Sequence, residues 1–401
     1  MRVAVSPRPV SAVPVLVFTA LAGTMAMMSF VAVVGPVVRL LGMAEWHAGL
    51  SMTAAGVLWM LAARRWGALS DRIGRRRVLL LALAGYAAVY LVMAVFVDLA
   101  LRFPPAVLVS VLALVGTRAL VGLFYAAVPS TAAALVADEA PPGERAGTMA
   151  KLGAASSVGM VAGPAAAGWI AFHDLALALY AAAALPLLSL LAVWWRLPAA
   201  PPPSAAGRPK PAVAWLDPRL RLPLFAVFAA MVSVSIAQVV VGFFAIDRLH
   251  LSPADGARVA GLSLTAVGVG LMCAQALVMR VKSVPPARWI AVGAAISALG
   301  FGASALVGAQ WQLLLAYAVA AFGMGFVFPS FQALAADSVQ AHEHGVAQGT
   351  VASVQGLGMV VGPMLGTALY SWAPGAPYVL IALVLGGLAL AAALHRAGAA
   401  R

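Results

Sequence analysis

Charged residues are scarce in this chain of 401 residues, since Asp, Glu, Lys and Arg together make up only 9% of it. A water-soluble protein of this length needs a larger charged surface to stay in solution. Asparagine is absent, and the single cysteine, Cys273, excludes any disulfide within the chain. Hydrophobic residues make up 64% of the sequence. These shortages exclude a soluble globular domain and predict a protein with many membrane spans.

Acidic residues are rarer than basic ones, with 12 Asp and Glu against 25 Lys and Arg, and the formal net charge is +13. Such a charge is often the mark of a nucleic-acid-binding protein. Here the basic residues cluster in short segments between apolar runs, which is where membrane topology places them. We therefore expect a lipid bilayer as a partner and no nucleic acid. All the acidic residues fall in predicted loops or at predicted helix ends.

Apolar runs near the roughly 20 residues that a spanning helix needs occur twelve times. They lie at 14–34, 48–66, 78–97, 106–136, 148–171, 175–195, 222–246, 258–280, 289–308, 312–336, 347–371 and 376–394. The stretch between the sixth and seventh runs is rich in proline and basic residues, which predicts a semi-rigid linker. The sequence therefore divides into a first six-helix half at 1–196, a linker at 197–221 and a second six-helix half at 222–401.

The distribution of basic residues predicts the orientation of these spans. With both termini placed in the cytoplasm, only four of the 25 basic residues fall in the loops on the other side, namely Arg39, Arg102, Arg248 and Arg258. One more, Arg118, lies inside a span, and all the others lie on the cytoplasmic side. Cytoplasmic loops of membrane proteins carry this excess of Lys and Arg.

The two halves share a weak internal repeat. At an offset of 199 positions, five spaced residues of the first half coincide with the same residue types in the second. The pairs are Asp138 with Asp337, Glu144 with Glu343, Gly159 with Gly358, Gly163 with Gly362, and Pro164 with Pro363. Chance matching between glycine-rich helices does not readily produce matched acidic residues in loops as well. The repeat predicts two helix bundles related by an axis along the membrane normal.

The segment 67–77 holds five charged residues between two apolar runs. A segment with so many charges is too costly to place in hydrocarbon, so we predict a short loop at a membrane face. Its pattern, G-x-L-x-D-R-x-G-R-R, resembles the cytoplasmic loop between helices 2 and 3 of the major facilitator superfamily. The resemblance implies a gating role, in which the aspartate meets the positive N-terminal end of helix 11. The residues that match are Gly67, Asp71, Arg72, Gly74, Arg75 and Arg76.

Arg118 is the one basic residue deep inside a predicted span. An arginine in this position is a candidate functional residue, although a structural cation held by backbone carbonyls is the alternative. The pattern Leu114-x-x-x-Arg118-x-x-x-Gly122 resembles a helix 4 motif of drug:proton antiporters, with Val121 in place of the family's usual glutamine. Tyr125 lies within two turns of Arg118 and is a second candidate for coupling or substrate contact.

Small residues recur every four positions on the fifth predicted span, which allows close helix packing, and a proline bends the helix there. This pattern resembles the antiporter motif of the same family, and the eleventh span carries a partial copy. Ordinary small-residue packing is the alternative. The candidate packing residues are Gly159, Gly163, Pro164, Gly168, Gly358, Gly362 and Pro363.

The resemblance covers the whole chain and implies an all-α membrane protein, with twelve transmembrane helices in two pseudo-symmetric six-helix bundles. It further implies a secondary transporter of the bacterial inner membrane that exports a small organic molecule, with protons as the coupling ion. No predicted span carries a carboxylate at its middle, and the first span offers only hydroxyl groups, so the proton-coupling group is not assigned. A monomer is expected, and the substrate cavity lies between the halves. Its candidate polar lining residues are Arg118, Gln238, Gln275, Gln332 and Gln355.

Three other functions stay open at this point: export of a self-made metabolite such as a siderophore, proton-coupled import, and a receptor or assembly factor built on the same fold. No nucleophile and base pattern points to an enzyme, and no Walker lysine points to an ATP-driven pump. We expect no cofactor and no metal site. The His342-Glu343-His344 run is interpreted as a solvated loop.

Overall fold

The fold is described from a computed structural model, over residues 12–139, 145–198, 217–281, 284–339 and 344–399. Thirteen α-helices and one short 3-10 helix, Pro218–Leu220, make up these ranges. In chain order, α1 to α13 are Val13–Leu40, Glu45–Ile73, Arg75–Arg102, Val107–Tyr125, Ala127–Glu139, Arg145–His173, Leu175–Arg196, Arg221–Arg248, Pro253–Arg280, Pro286–Ser304, Gln310–Asp337, His344–Trp372 and Ala376–Ala399.

The helices α4 and α5 belong to one span, so the thirteen helices make twelve spans. The break between them is the single residue Ala126, and the whole segment Val107–Val136 is apolar enough to cross a membrane. Ten segments in the described residues meet that criterion. The other two spans, α2 and α12, are less apolar, and they pack against each other where the two halves meet. A helix that faces other helices needs less hydrocarbon-like surface than one that faces lipid.

The turn between α2 and α3 is much shorter than the sequence predicted. We expected a loop over most of 67–77, but α2 continues through Ile73 and α3 begins at Arg75, so Gly74 alone joins them. Gly74 has a φ of 94°, a backbone conformation that side chains with a Cβ rarely adopt. The charges of this segment are therefore carried on two helix ends, whose exposed position at the membrane face satisfies the same energetic requirement.

In the first half α6 packs closely on α1, and in the second half α12 packs closely on α8. A β-carbon on Gly159 would lie 3.0 Å from Cβ of Thr24 on α1, and one on Gly358 would lie 2.7 Å from Cβ of Met231 on α8. The contacts α1 with α6 and α8 with α12 are among the most extensive in the protein. The glycines of the two motifs therefore occupy equivalent places in the two halves, α1–α7 and α8–α13.

We call the membrane face that carries Gly74 the linker face and the other one the opposite face. The two halves meet near the opposite face, where α1 contacts α8, α2 contacts α12 and α6 contacts α9. Gly35 of α1 lies against the backbone of Gly242 of α8, and Thr53 of α2 donates a hydrogen bond of 2.7 Å to the carbonyl oxygen of Val360. The halves are thus closed on each other at that face.

Pro164 and Pro363 each pack against a glycine of the other half, and we call these two contacts the crossings. A β-carbon on Gly261 of α9 would lie 2.8 Å from the carbonyl oxygen of Pro164 on α6. A β-carbon on Gly49 of α2 would lie 2.5 Å from the carbonyl oxygen of Pro363 on α12. Contacts this close are open only to glycine, so the backbones of the two halves approach closely at both crossings, and the hydroxyl of Thr367 also lies against Gly49.

Candidate functional site

Arg118 lies in the middle of the first half and is almost completely buried, with 1% of its surface exposed. Its guanidinium carbon sits 4.2 Å from the ring centre of Phe30, and its Nη2 lies 3.8 Å from the sulfur of Met27. Among the residues that the structure describes, the Nε and Nη1 atoms have no hydrogen-bond partner. A cation over an aromatic ring gains about 0.5–2 kcal/mol, which does not replace two missing hydrogen bonds. The guanidinium is therefore an unsatisfied donor group in a low-dielectric interior.

Three tyrosines surround this part of the first half, and their hydroxyls attach α1 to its neighbours. Tyr86 and Tyr90 on α3 donate hydrogen bonds of 3.1 and 2.9 Å to carbonyl oxygens of α1. The hydroxyls of Tyr125 and Thr24 are 2.8 Å apart. The tyrosine rings also contact one another, with 5.5 Å between the centres of Tyr86 and Tyr125. The cluster fixes the position of α1, and with it the ring that faces Arg118.

The structure brings together some of the candidates predicted from the sequence and separates others. Tyr125 and Arg118 both lie on α4, and the ring of Tyr125 contacts Tyr86. The predicted glutamines belong to the second half, where Gln238 and Gln355 are half-buried, and Gln275 and Gln332 are exposed. Within the described residues, Gln238, Gln275 and Gln355 make no hydrogen bond. They lie in the other half from Arg118, so they stay candidates for a cavity between the halves.

The sequence analysis missed Phe30, Met27, Tyr86 and Tyr90. The two tyrosines are four residues apart on α3, so they occupy one helix face, and a paired tyrosine in an otherwise apolar span was the available signal. Phe30 and Met27 gave no signal, because an apolar residue in a span is expected anywhere. Their role follows only from the packing of α1 against α4.

The charged segment at Gly74 is partly described. Arg75 donates a hydrogen bond of 2.5 Å to the hydroxyl of Ser70, and Arg76 donates one of 2.8 Å to the carbonyl oxygen of Trp194 on α7. A β-carbon on Gly67 would contact no atom of the described residues within 4 Å. Arg72 is exposed, and the side chain of Asp71 lies outside the described part of the structure. The predicted gating contact of Asp71 therefore stays a prediction.

The packing motif on α6 has two different partners. Gly163 faces Met25 of α1, in the same half, while a β-carbon on Gly168 would lie 2.8 Å from the Cα atom of Gly261 on α9. On α12, a β-carbon on Gly362 would lie 2.7 Å from Cβ of Ser235. The motif therefore joins helices within a half at one end and joins the halves at the other end.

A cluster of charged groups lies where the halves meet at the opposite face. Arg39, at the end of α1, forms an ion pair of 2.7 Å with Glu45 and a second ion pair with Asp247 of α8. Tyr370 of α12 donates a hydrogen bond of 2.7 Å to the same carboxylate. The sequence placed these acidic residues at helix ends, but their pairing across the halves was not predicted. Within the described residues, no group of three or more His, Cys, Asp or Glu could hold a metal ion. His342 and Glu343 lie outside that part of the structure.

Comparison with known proteins agrees with this architecture. The family model of the Major Facilitator Superfamily matches residues 15–307 and 282–399. The class C tetracycline resistance protein of Escherichia coli is 29% identical over 84% of this chain and 86% of its own length. The class G tetracycline resistance protein of Vibrio anguillarum is 32% identical over 82% of each chain.

Two solved structures share the fold at lower sequence identity. A bacterial homologue of the human lysosomal transporter Spinster, in an inward-facing and occupied conformation, superimposes with a TM-score of 0.73 at 16% identity, covering 97% of this chain and 96% of that one. The human organic anion transporter MFSD10 gives 0.67 at 21% identity, with 96% and 100% covered. With twelve spans in the arrangement described above and a family model that matches nearly its full length, the chain belongs to the major facilitator superfamily.

Proposed function

We propose that this transporter exports a small, oxygen-rich organic molecule from the bacterial cytoplasm in exchange for protons. The observation that carries the substrate class is the buried guanidinium of Arg118, two of whose nitrogen atoms have no hydrogen-bond acceptor among the described residues. Support for export comes from the relatives named for tetracycline resistance, which match more than four fifths of the chain. No substrate identity follows from the relatives alone.

The orientation proposed from the sequence gives a physical account of the observed conformation. If the linker face is cytoplasmic, the basic helix ends at Gly74 lie inside the cell, in agreement with the positive-inside rule. The closed opposite face is then periplasmic, and the protein is in an inward-facing state. We propose that both termini are cytoplasmic, and that residues 1–196 and 222–401 move as two halves joined by the linker.

The charge of the site favours one class of substrate over another. The guanidinium of Arg118 is a permanent cation. The described residues place no carboxylate beside it. A permanent organic cation entering such a site would have its charge unpaired, at a cost of about several kcal/mol after relaxation. A neutral, zwitterionic or anionic molecule with carbonyl or hydroxyl oxygens would instead accept hydrogen bonds from the guanidinium. We therefore expect oxygen-rich molecules to be transported in preference to lipophilic cations.

A transport assay with two substrate classes tests this proposal. Everted membrane vesicles are energised with a proton gradient, and uptake of tetracycline and of ethidium is measured for the wild type, Arg118→Lys and Arg118→Ala. We expect tetracycline uptake by the wild type, with about a tenfold or greater loss in Arg118→Ala, as for removal of one charged hydrogen-bond donor. Arg118→Lys should retain part of it. Strong ethidium uptake that is unchanged in Arg118→Ala would contradict the proposed substrate class.

The same vesicles test the direction of proton movement. A proton antiporter dissipates the gradient when substrate is added, and dissipating the gradient first with an uncoupler should stop uptake. Uptake that continues with the gradient removed would contradict proton exchange. Substrate accumulation in right-side-out vesicles, driven by the physiological gradient, would indicate import instead.

Asp71→Asn is expected to abolish transport without preventing insertion into the membrane. The substitution keeps the size of the side chain and removes its charge. It should therefore weaken the contact that we propose between this segment and the N-terminal end of α12, which is the eleventh span. Transport in vesicles is compared at equal amounts of protein, with Arg72→Gln as a second variant of the segment. Wild-type transport rates in Asp71→Asn would exclude a gating role for this carboxylate.

A further inference from the structure

Arg39 forms the centre of a charged cluster that bridges the two halves at the opposite face. Its Nη1 atom lies 2.7 Å from Glu45, which begins the next helix of the same half, and its Nη2 atom contacts Asp247 in the other half. The guanidinium carbon is also 5.8 Å from the ring centre of Phe243. One cation thus holds two carboxylates and an aromatic ring, and two of these three partners belong to the second half.

The carboxylate of Asp247 is held in place from its own half. The hydroxyl of Tyr370 donates a hydrogen bond of 2.7 Å to the oxygen that Arg39 also contacts. The side chains of Arg39 and Asp247 are 33% and 30% exposed, so they are partly removed from solvent. Pairs with fixed partners and reduced hydration contribute more than freely exposed pairs, which contribute about 0–1 kcal/mol. Glu45 and Tyr370 therefore pre-position the two groups that meet.

The contacts of this cluster depend differently on the conformation of the transporter. The pair Arg39 with Glu45 lies within the first half, and the pair Asp247 with Tyr370 lies within the second, so both survive when the halves separate at this face. The bond between Arg39 and Asp247 crosses from one half to the other, and so does the weaker contact of Arg39 with the ring of Phe243. An interaction present in one state and absent in the other shifts the equilibrium between them by its own free energy.

We propose that the ion pair of Arg39 with Asp247 is the latch that keeps the periplasmic side closed in the inward-facing state. Glu45 and Tyr370 are positioning residues that hold its two members ready to meet again on each cycle. The latch rests on alternating access and on the orientation proposed above, but not on the identity of the substrate. A second contact across the same interface also favours the closed state. The guanidinium carbon of Arg258 lies 4.9 Å from the ring centre of Phe172.

The ion pair of Asp98 with Arg102 lies within one helix and serves as a comparison for the proposed latch. It lies at the same face, and its Arg102 Nε and Asp98 Oδ1 atoms are 2.8 Å apart, but both residues belong to α3 and are four positions apart. Such a pair exists whichever way the halves rock, so it cannot favour either state. It therefore provides a matched control, with the same chemistry and the same membrane face but no bond between the halves.

The test is a distance measurement across the opposite face in the full-length protein. Cys273 is first replaced by serine, and spin labels are placed on cysteines at Phe103 and Leu306, which are 75% and 82% exposed and belong to different halves. Pulsed electron spin resonance in lipid nanodiscs then gives the populations of closed and open forms. We expect Asp247→Asn to lower the ratio of closed to open forms by roughly three- to tenfold, the effect of about 0.7–1.4 kcal/mol.

Three further variants make the result specific. Asp247→Glu keeps the charge and should retain most of the closed population, Tyr370→Phe should shift it less than Asp247→Asn does, and Asp98→Asn should leave it unchanged. A wild-type distance distribution in Asp247→Asn would overturn the latch, and so would an equal shift in Asp98→Asn. No substrate is present in this measurement, so its outcome is independent of the transport assay with Arg118 variants.

Discussion

Replacement of Gly163 by leucine is expected to abolish transport and to reduce the amount of folded protein. Gly163 of α6 faces the backbone of Met25 on α1, where a β-carbon would touch the carbonyl oxygen and lie 3.0 Å from the Cα atom. The carbonyl oxygen of Gly163 also accepts a hydrogen bond of 3.2 Å from Ser29 of α1. Backbone atoms cannot move aside by a rotamer change, so a leucine must push the two helices apart. Overpacking of this kind costs about 1–3 kcal/mol, and more where backbone is displaced.

Gly153→Leu is the matched control for this prediction. It lies on the same helix, ten positions earlier, and a β-carbon there would meet open space. We expect near wild-type expression and transport for Gly153→Leu. The measurement is the yield of monodisperse protein in detergent together with vesicle transport. Equal behaviour of the two variants, or full transport by Gly163→Leu, would show that the four-residue spacing has no structural importance.

Gly122→Leu should have an effect of similar size for a different reason. A β-carbon on Gly122 would lie 2.7 Å from the carbonyl carbon and 2.8 Å from the Cα atom of Ala55 on α2. Gly122 is one helical turn beyond Arg118 on α4. Forcing α4 away from α2 would also move the guanidinium relative to the ring of Phe30 on α1, which it now contacts at 4.2 Å. We therefore expect about a tenfold or greater loss of substrate transport even in the fraction that folds.

The control for Gly122 lies on the same helix. Gly116 has open space where its β-carbon would lie, so Gly116→Leu should preserve both the fold and transport. Thermal unfolding followed by intrinsic tryptophan fluorescence separates the two effects, because a loss of transport with unchanged unfolding temperature indicates displacement of Arg118 alone. A Gly122→Leu variant with normal stability and normal transport would refute the close approach of these helices.

Composition and periodicity predicted the fold class and twelve spans because both follow from the bilayer itself. A run of about 20 apolar residues has few other uses, and basic residues between runs mark the ends of the helices. The internal offset of 199 positions predicted equivalent roles for Gly159 and Gly358, and the family match confirms the two-bundle fold that it implied. Glycine spacing predicted that a helix face would be closely packed, but it could not identify which helix would be the partner.

The partners of individual side chains could not be predicted, because they depend on contacts between residues far apart in sequence. Arg118 and Phe30 are 88 positions apart, and nothing in an apolar span distinguishes the phenylalanine that lies under a cation from one that faces lipid. The pairing of Arg39 with Asp247 joins residues 208 positions apart. In the sequence, Arg39 and Asp247 are each visible only as a charge at the end of a span. Membrane topology alone also places charges there.

The length of the turn at Gly74 was predicted wrongly for a simple physical reason. Charged residues indicate where a chain leaves the hydrocarbon, but they do not indicate where a helix ends. Arginines have good helix propensity, so α2 and α3 continue through the charged segment and turn on one residue. Gly74 itself was the more reliable sequence signal of the turn, because a positive φ favours glycine.

The contacts of Pro164 with Gly261 and of Pro363 with Gly49 lie apart from the proposed recognition site at Arg118. The backbone of each proline lies against a glycine, with the hydroxyl of Thr367 beside Gly49, and neither crossing uses a side chain of the Arg118 cluster. Point mutations that alter the cavity side chains therefore leave the surfaces on which the halves rock unchanged. A lineage of such transporters can change its substrate range one residue at a time without repeatedly rebuilding the mechanism, and inhibitors directed at the crossings would be harder to escape by mutation than inhibitors directed at the cavity.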